Sequence, residues 1–130
     1  MIDLAEHQSE NFIPLKDVVS RQEISQKYLE GIMTDLSKVG LLDALHGKGG
    51  GYKLNRSPDQ ITVLEVLLAT EGDLAPVSCL EKDAATCSRA AECRTLPMWE
   101  KFYKLISDFF GNITLAELMK SGNIGDNYVI

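Results

Sequence analysis

A run of glycine residues at positions 47–51 does most to limit what this chain can fold into. Four of the five residues are glycine, and short segments able to form strands lie on either side, at residues 41–46 and 52–54. This pattern predicts a β-hairpin with a flexible tip. Glycine permits close approach of the backbone to a neighbouring surface, and cations beside it attract phosphate. The basic side chains here are Lys48, Lys53 and Arg56, with His46 beside them. The hairpin alone is equally compatible with an exposed loop that has no partner.

Two short amphipathic helices are predicted before the hairpin. Pro14 suits the first position of a helix, where its missing N–H is not needed. The second helix has Ser25 as its N-cap and ends at Gly40. Its apolar stripe, spaced for one helical face, consists of Leu29, Ile32, Met33 and Leu36. Two such helices joined by a tight turn are the outline of a helix-turn-helix.

All the cysteines of the protein, Cys79, Cys87 and Cys93, fall within fifteen residues. The segment is rich in charged and small residues, so we predict a loop. Thiolates are soft ligands for zinc, copper(I) or iron–sulfur iron, and an odd number of cysteines fits disulfide bonding poorly. Metal binding can order a loop that cannot bury itself. A structural zinc site and a metal-free thiol sensor remain alternatives, although zinc sites usually show closer cysteine pairs.

Three further helices are predicted in the second half of the chain. Thr62 and Glu65 form a capping box that opens an apolar helix ending near Gly72, and a second box at Thr114 opens a short final helix. Between them, Pro97 opens a longer helix that carries Trp99, Phe102, Tyr103, Ile106, Phe109 and Phe110. One small domain offers too little cover for these side chains, so we predict a dimer interface. Burial within the same domain is the alternative.

Composition and charge exclude several classes of protein. No apolar run approaches the ~20 residues of a membrane span, and no secretion signal is visible, so we expect a cytoplasmic protein without a membrane partner. The net charge of −6 argues against nucleic acid, but residues 14–56 carry seven basic and five acidic side chains and form the net-basic part. Neither a phosphate-binding glycine loop nor an HExxH motif is present, so we do not expect an enzyme.

These patterns predict a mostly α protein with a small β-wing. Residues 1–72 would form a winged helix-turn-helix domain, 73–96 a cysteine-bearing loop, 97–121 a long dimerisation helix and a C-terminal helix, and 122–130 a tail. Residues 1–7 have apolar residues near helical spacing but no preceding N-cap, so we expect the chain to begin inside its first helix.

The chain resembles the IscR-type regulators of the Rrf family, which are bacterial winged-helix transcription factors. The matching text is Ile24-Ser25-Gln26-Lys27-Tyr28-Leu29-Glu30, the Gly-Gly-Gly-Tyr wing at residues 49–52, Ile61-Thr62, the three cysteines, and Asn112-Ile113-Thr114-Leu115. The resemblance covers residues 1–121 approximately. It implies a homodimer on duplex DNA, with a recognition helix in the major groove, a wing in the minor groove, and an iron–sulfur cluster (2Fe–2S or 4Fe–4S) that controls binding.

The resemblance also implies roles for individual residues. Cys79, Cys87 and Cys93 would be cluster ligands, and Glu30 would accept a hydrogen bond from a cytosine amino group. The residues expected at the DNA are Ser25, Gln26, Lys27, Tyr28, Glu30, His46, Lys48, Gly49, Gly50 and Lys53. Regulation of iron–sulfur assembly genes is the family's commonest theme and therefore the expected function.

The sequence departs from the family pattern in three places. Leu96 stands where some members carry a histidine ligand, seven residues rather than five separate the first two cysteines, and Glu23 stands in a turn that usually has glycine. A fourth ligand would have to come from an acidic residue of the partner subunit's first helix or, as weaker candidates, from His7, His46 or Asp83. A cluster-free thiol- or metabolite-responsive repressor, and an iron–sulfur electron-transfer protein, remain alternative functions.

Overall fold

The computed structural model describes residues 1–122, and over this range the fold is mostly helical with a two-stranded sheet, which confirms the predicted class. The elements in chain order are α1 (Ile2–Glu6), α2 (Leu15–Gln22), α3 (Gln26–Lys38), β1 (Leu42–Leu45), β2 (Gly51–Leu54), α4 (Val63–Glu71), α5 (Leu96–Gly111) and α6 (Leu115–Gly122). Short 3-10 turns lie at Pro58–Gln60 and Ser78–Leu80. The predicted tail beyond residue 122 lies outside the described residues.

The turn between α2 and α3 depends on a left-handed residue. Glu23 has φ 54° and ψ 41°, and its N–H donates to the Val19 carbonyl at 2.9 Å, which ends α2. A residue with a Cβ in this conformation costs about 1–2 kcal/mol, so glycine is the more favourable residue here. Ser25 then caps α3, as predicted, by accepting from the Tyr28 N–H at 3.1 Å. Pro14 is the N-cap of α2 rather than its first helical residue, because its ψ of 141° is extended.

The wing is an antiparallel hairpin that is tied to the segment before α2. Leu42 pairs with Leu54 and Leu45 with Gly51, and Ile13 adds a bridge by exchanging two 2.9 Å backbone hydrogen bonds with Tyr52. A Cβ at Gly51 would lie 2.1 Å from the Ile13 carbonyl oxygen, and the φ of Gly51 is 152°. A Cβ at Gly50 would lie 2.3 Å from the carbonyl oxygen of Leu45. Close backbone packing inside the wing therefore requires glycine at both positions.

The core lies between α1, α3, the wing and α6. Three residues of the predicted stripe, Leu29, Met33 and Leu36, are buried, and Ile32 is half-buried beside them. The other buried apolar residues are Leu4, Ala5, Ile13, Val18, Leu41, Leu42, Ile61 and Leu115. Residues from nearly every helix of the winged domain therefore contribute to one continuous core.

The two ends of α5 reach the winged domain by different routes. At the C-terminal end, α6 returns to the core, where the Leu115 N–H donates to the Ile61 carbonyl at 3.0 Å and α6 contacts α1. At the N-terminal end, α5 follows the cysteine loop. α5 also packs along α4, which opens with the predicted reciprocal capping box between Thr62 and Glu65. The cysteine loop is thus the connection between α4 and the start of α5.

Candidate DNA-binding face and cysteine loop

Half of the ten residues predicted to contact DNA lie on α3 or at its N-cap. Lys27, Tyr28 and Glu30 are exposed, and 65% of Tyr28 is accessible, so its ring is not packed against the domain. Gln26 donates from its amide nitrogen to the Glu30 carboxylate at 3.2 Å. The Ser25 hydroxyl accepts from the helix backbone as the N-cap. Side chains that can donate and accept hydrogen bonds are therefore available for a nucleic-acid groove along one face.

The wing forms the other wall of an open groove beside α3. His46, Lys48 and Gly49 are exposed at its tip, and the Lys53 ammonium lies 4.8 Å from the centre of the Phe12 ring. This cation–π contact holds Lys53 near the base of the wing. The side chains that line the groove include Lys16, Gln26, Glu30, Thr34 and His46. Lys16, in the first turn of α2, was not among the sequence-predicted residues, although its position two residues after Pro14 is the signal that could have identified it.

A partly buried ion pair that no sequence motif marks fixes α1 on α2. Asp3 is 8% exposed and receives the Arg21 guanidinium at 2.7–3.2 Å and the Gln22 amide at 2.8 Å. The Arg21 hydrogen bonds hold the pKa of the Asp3 carboxyl below its ordinary value. His7 caps the same helix, with Nδ1 2.8 Å from the Asp3 carbonyl oxygen. We call these contacts of Asp3 with Arg21 and Gln22 the α1–α2 clamp. Because α2 directly precedes α3, the clamp fixes the position of the helix-turn-helix relative to α1.

The three cysteines lie along the loop as free thiols. Cys79 and Cys87 are exposed and Cys93 is partly exposed. Cys93 Sγ lies 3.5 Å from the Thr95 hydroxyl, and this contact, with the backbone N–H groups at the start of α5, lowers the pKa of the Cys93 thiol. Soft, accessible donors of this kind fit an iron–sulfur cluster chemically. Among residues 1–122, however, no three His, Cys, Asp or Glu side chains are close enough together to hold a metal ion.

The candidates for a fourth ligand lie on different elements. Leu96 is the first residue of α5 and has no donor atom. His7 ends α1, His46 is on the wing, and Asp83 lies in the cysteine loop with a left-handed φ of 65°. Of the three, Asp83 is the one on the cysteine loop itself.

The six side chains predicted for a dimer interface divide into two sets on α5. Trp99, Tyr103, Ile106 and Phe110 are half-buried, on a helix that contacts α4. Phe102 and Phe109 are exposed, and with Met98 and Leu105 they form an apolar stripe that we call the exposed stripe. Its members Met98, Phe102, Leu105 and Phe109 are 52%, 44%, 66% and 61% exposed. Their spacing of four, three and four residues is that of a coiled-coil seam.

Asp73 is a further polar residue that sequence analysis missed. Its carboxylate receives hydrogen bonds from the Ala75 and Lys82 backbone N–H groups at 2.8 and 2.7 Å, and from the Tyr103 hydroxyl at 3.0 Å. These donors, Lys82 first, hold the pKa of Asp73 below its ordinary value. No sequence motif marks the residue, because its partners are 2, 9 and 30 positions away.

The helix-turn-helix, the wing and the exposed face of α3 are the features of a winged helix-turn-helix transcriptional regulator. Comparison with known proteins identifies the family. A family model described as an iron-dependent transcriptional regulator, Rrf2, matches residues 1–121. The chain belongs to this family of DNA-binding regulators.

Among its relatives, the chain is 37% identical over 124 residues to the regulator IscR of Vibrio campbellii, covering 95% of this chain and 73% of that protein. It is 39% identical to IscR of Erwinia tasmaniensis, with 95% and 74% covered.

Solved structures agree with this assignment. IscR of T. potens matches with a TM-score of 0.67 and 32% identity, over 93% of this chain and 78% of that one. CymR, described as the global cysteine regulator of B. subtilis, matches with a TM-score of 0.70 and 27% identity, over 92% and 87%. In the part of the chain that is described, no helix has the length and apolar character needed to cross a membrane.

Proposed function

We propose that this protein is a homodimeric, cytoplasmic regulator that binds operator DNA and responds to an iron–sulfur cluster held by Cys79, Cys87 and Cys93. The observation that carries the proposal is the position of the cysteine loop. It is the covalent link between α4, which belongs to the groove-reading domain, and α5, which bears the exposed stripe. A change in this loop therefore acts on the relation between the two parts.

The proposed DNA contacts follow from exposure and chemistry. Lys27 and Lys48 would contact phosphate, and Glu30 would accept from a cytosine amino group in the major groove. His46 would enter the minor groove at the tip of the wing. The remaining proposed contacts are Ser25, Gln26, Tyr28, Gly49, Gly50 and Lys53.

Two copies of the chain would pair through the exposed stripe of α5. An apolar seam with coiled-coil spacing is stabilised by packing against an identical seam, which a twofold axis provides. The half-buried set, Trp99, Tyr103, Ile106 and Phe110, would support α5 from its own subunit and complete the interface at its edge. In such a dimer the two recognition helices must match half-sites about 34 Å apart.

Control by the cluster would operate through order in the loop. When bound, the cluster supplies iron–thiolate bonds that stabilise one loop conformation. The chain's own contribution is to hold α4 and α5 at the spacing which that conformation sets. Because a dimer must match two half-sites at once, a change of a few ångströms would weaken one class of operator more than another. We propose iron–sulfur assembly genes as the targets, which relies on the similarity to IscR proteins.

The test of the cluster is anaerobic purification followed by absorption and by iron and sulfide analysis. We expect a coloured wild-type protein and a colourless Cys87→Ala variant. Ser88→Ala, one residue away, is the matched control and should keep its colour. Colourless wild-type protein, or a Cys87→Ala variant that keeps full colour and iron, would contradict the proposed ligand set.

A cluster-free, thiol-responsive repressor is the second candidate. It is favoured by the separation of the thiols in this structure and by the lowered pKa of Cys93. In that case air-free protein would be colourless, and treatment with a thiol oxidant would change its DNA affinity. The same purification therefore distinguishes the two candidates.

A further inference from the structure

Asp73 is the point at which three parts of the molecule meet. It follows Gly72, the C-cap of α4, so it is the first residue of the cysteine loop and adjoins the winged domain. One carboxylate oxygen accepts from the Ala75 N–H and the Tyr103 hydroxyl, and the other accepts from the Lys82 N–H. Tyr103 is on α5, and Lys82 is in the cysteine loop. A single side chain therefore contacts both the loop and the helix that follows it.

The hydrogen bond to Lys82 closes a short segment of the loop that contains the first cysteine. Lys82 lies between Cys79 and Cys87, so a rearrangement of the backbone between these two cysteines would act on the Lys82 N–H. At 2.7 Å this contact is short, as expected for an amide that donates to an ionised carboxylate. The carboxylate and the phenol keep these roles at neutral pH. The Lys82 and Ala75 N–H groups lower the pKa of Asp73, and the hydrogen bond to Asp73 raises the pKa of Tyr103.

The hydrogen bond from Tyr103 connects the Asp73 carboxylate to α5. Tyr103 is half-buried, whereas Phe102 and Leu105, its neighbours along the helix, belong to the exposed stripe. Tyr103 and the exposed stripe belong to one 16-residue helix, so a shift of the helix at Tyr103 would move the stripe as well.

We propose that Asp73 is a positioning residue that transmits a change in the cysteine loop to α5 through Tyr103. The inference rests on the proposed function, in which the state of the loop controls DNA binding. It adds that the covalent connection between the loop and α5 is not sufficient to transmit the change. The hydrogen bonds of the Asp73 carboxylate are also needed to couple the loop to the helix.

The experiment uses full-length protein with Tyr103→Phe, which keeps the ring and removes one hydroxyl, and Asp73→Asn, which removes the charge. Glu81→Gln is the control, because it removes one negative charge from the same loop. The DNA probe is the duplex that cluster-loaded wild-type protein selects from a random library. The first measurement is the affinity of each protein for this duplex, with and without the cluster. The second is hydrogen exchange at the Lys82 amide in cluster-free protein. All three cysteines are kept in these variants, so visible absorption should show the same amount of bound cluster as in wild-type protein.

We expect the wild-type affinity ratio between the two states to be about tenfold or more, within the usual range of coupling between sites. Both variants should bring the ratio to within about twofold of one and accelerate exchange at Lys82, whereas Glu81→Gln should do neither. An unchanged ratio with full loading would overturn the inference. Dissociation of the dimer by Tyr103→Phe would also overturn it, because the hydroxyl would then act in the subunit interface.

The outcome for the wild type separates the two proposals. If wild-type protein binds DNA equally well with and without the cluster, cluster control is refuted. Hydrogen exchange at the Lys82 amide then tests whether Asp73 couples the loop to α5. Unchanged exchange in Tyr103→Phe would overturn it, and accelerated exchange would support it as a link between loop and helix.

Discussion

Replacement of Leu105 by glutamate tests whether the exposed stripe of α5 is the surface that pairs two subunits. Leu105 is 66% exposed in the single chain, the largest exposed fraction in the stripe. Full burial of a leucine side chain contributes about 1.5–3 kcal/mol, so covering the exposed part contributes about 1–2 kcal/mol in each subunit. A twofold axis repeats the contact, which gives about 2–4 kcal/mol per dimer. Glutamate removes this contribution and also places two carboxylates near the axis.

The expected result is a rise of about 30-fold to 700-fold in the dissociation constant of the dimer, since each 1.4 kcal/mol corresponds to a factor of ten. Sedimentation equilibrium over a concentration series measures this constant. Lys101→Gln is the matched control, because it changes the net charge by the same amount at an exposed polar position of α5. A Leu105→Glu variant that keeps its helical circular dichroism and dimerises like the control would refute the assignment of the stripe.

Three further predictions follow from the wing, the α1–α2 clamp and the proposed DNA contacts. Gly51→Ala should destabilise the fold by about 3 kcal/mol or more in urea unfolding, whereas Gly49→Ala, in open space at φ 76°, should cost about 1 kcal/mol; equal effects would contradict the close packing at the base of the wing. Asp3→Asn should cost about 1–2 kcal/mol at pH 7, a value reduced by the one-third exposure of Arg21. Because the folded-state pKa of Asp3 lies below 3.8, its ionised form stabilises the fold above that pH, so the difference from wild type should persist down to pH 5 and shrink below pH 4. Lys48→Ala should weaken binding to all duplexes alike and reduce the slope of log affinity against log salt by about one, and a preserved slope would exclude a phosphate contact.

The local elements of this fold were predictable because their signals are short-range. Ser25 caps α3, and Thr62 with Glu65 caps α4, through hydrogen bonds that span three residues. The spacing of Leu29, Met33 and Leu36 identified the buried face of α3 in the same way. The glycine run correctly indicated the hairpin. Such patterns depend on residues that are close together in the sequence, so these elements can be predicted without the tertiary structure.

Contacts between distant residues were not predictable from these patterns. Asp3 has no feature in the sequence that distinguishes it from a surface acid, and its partner Arg21 is 18 residues away. Asp73 gains its hydrogen bond from Tyr103 only when α5 packs along α4. The large apolar side chains of α5 looked like one interface in the sequence. The structure divides them into an exposed and a half-buried set, because neighbouring residues on a helix point about 100° apart.

The sequence by itself therefore determined the class of protein: a helix-turn-helix with a glycine wing, and three soft donors in one loop. The folded structure was needed to show which glycines the wing requires and which side of α5 stays exposed. It also showed that one carboxylate forms hydrogen bonds with both the loop and that helix. The physical reason is that caps, turns and periodic stripes depend on neighbours along the chain, whereas burial and long-range hydrogen bonds depend on neighbours in space.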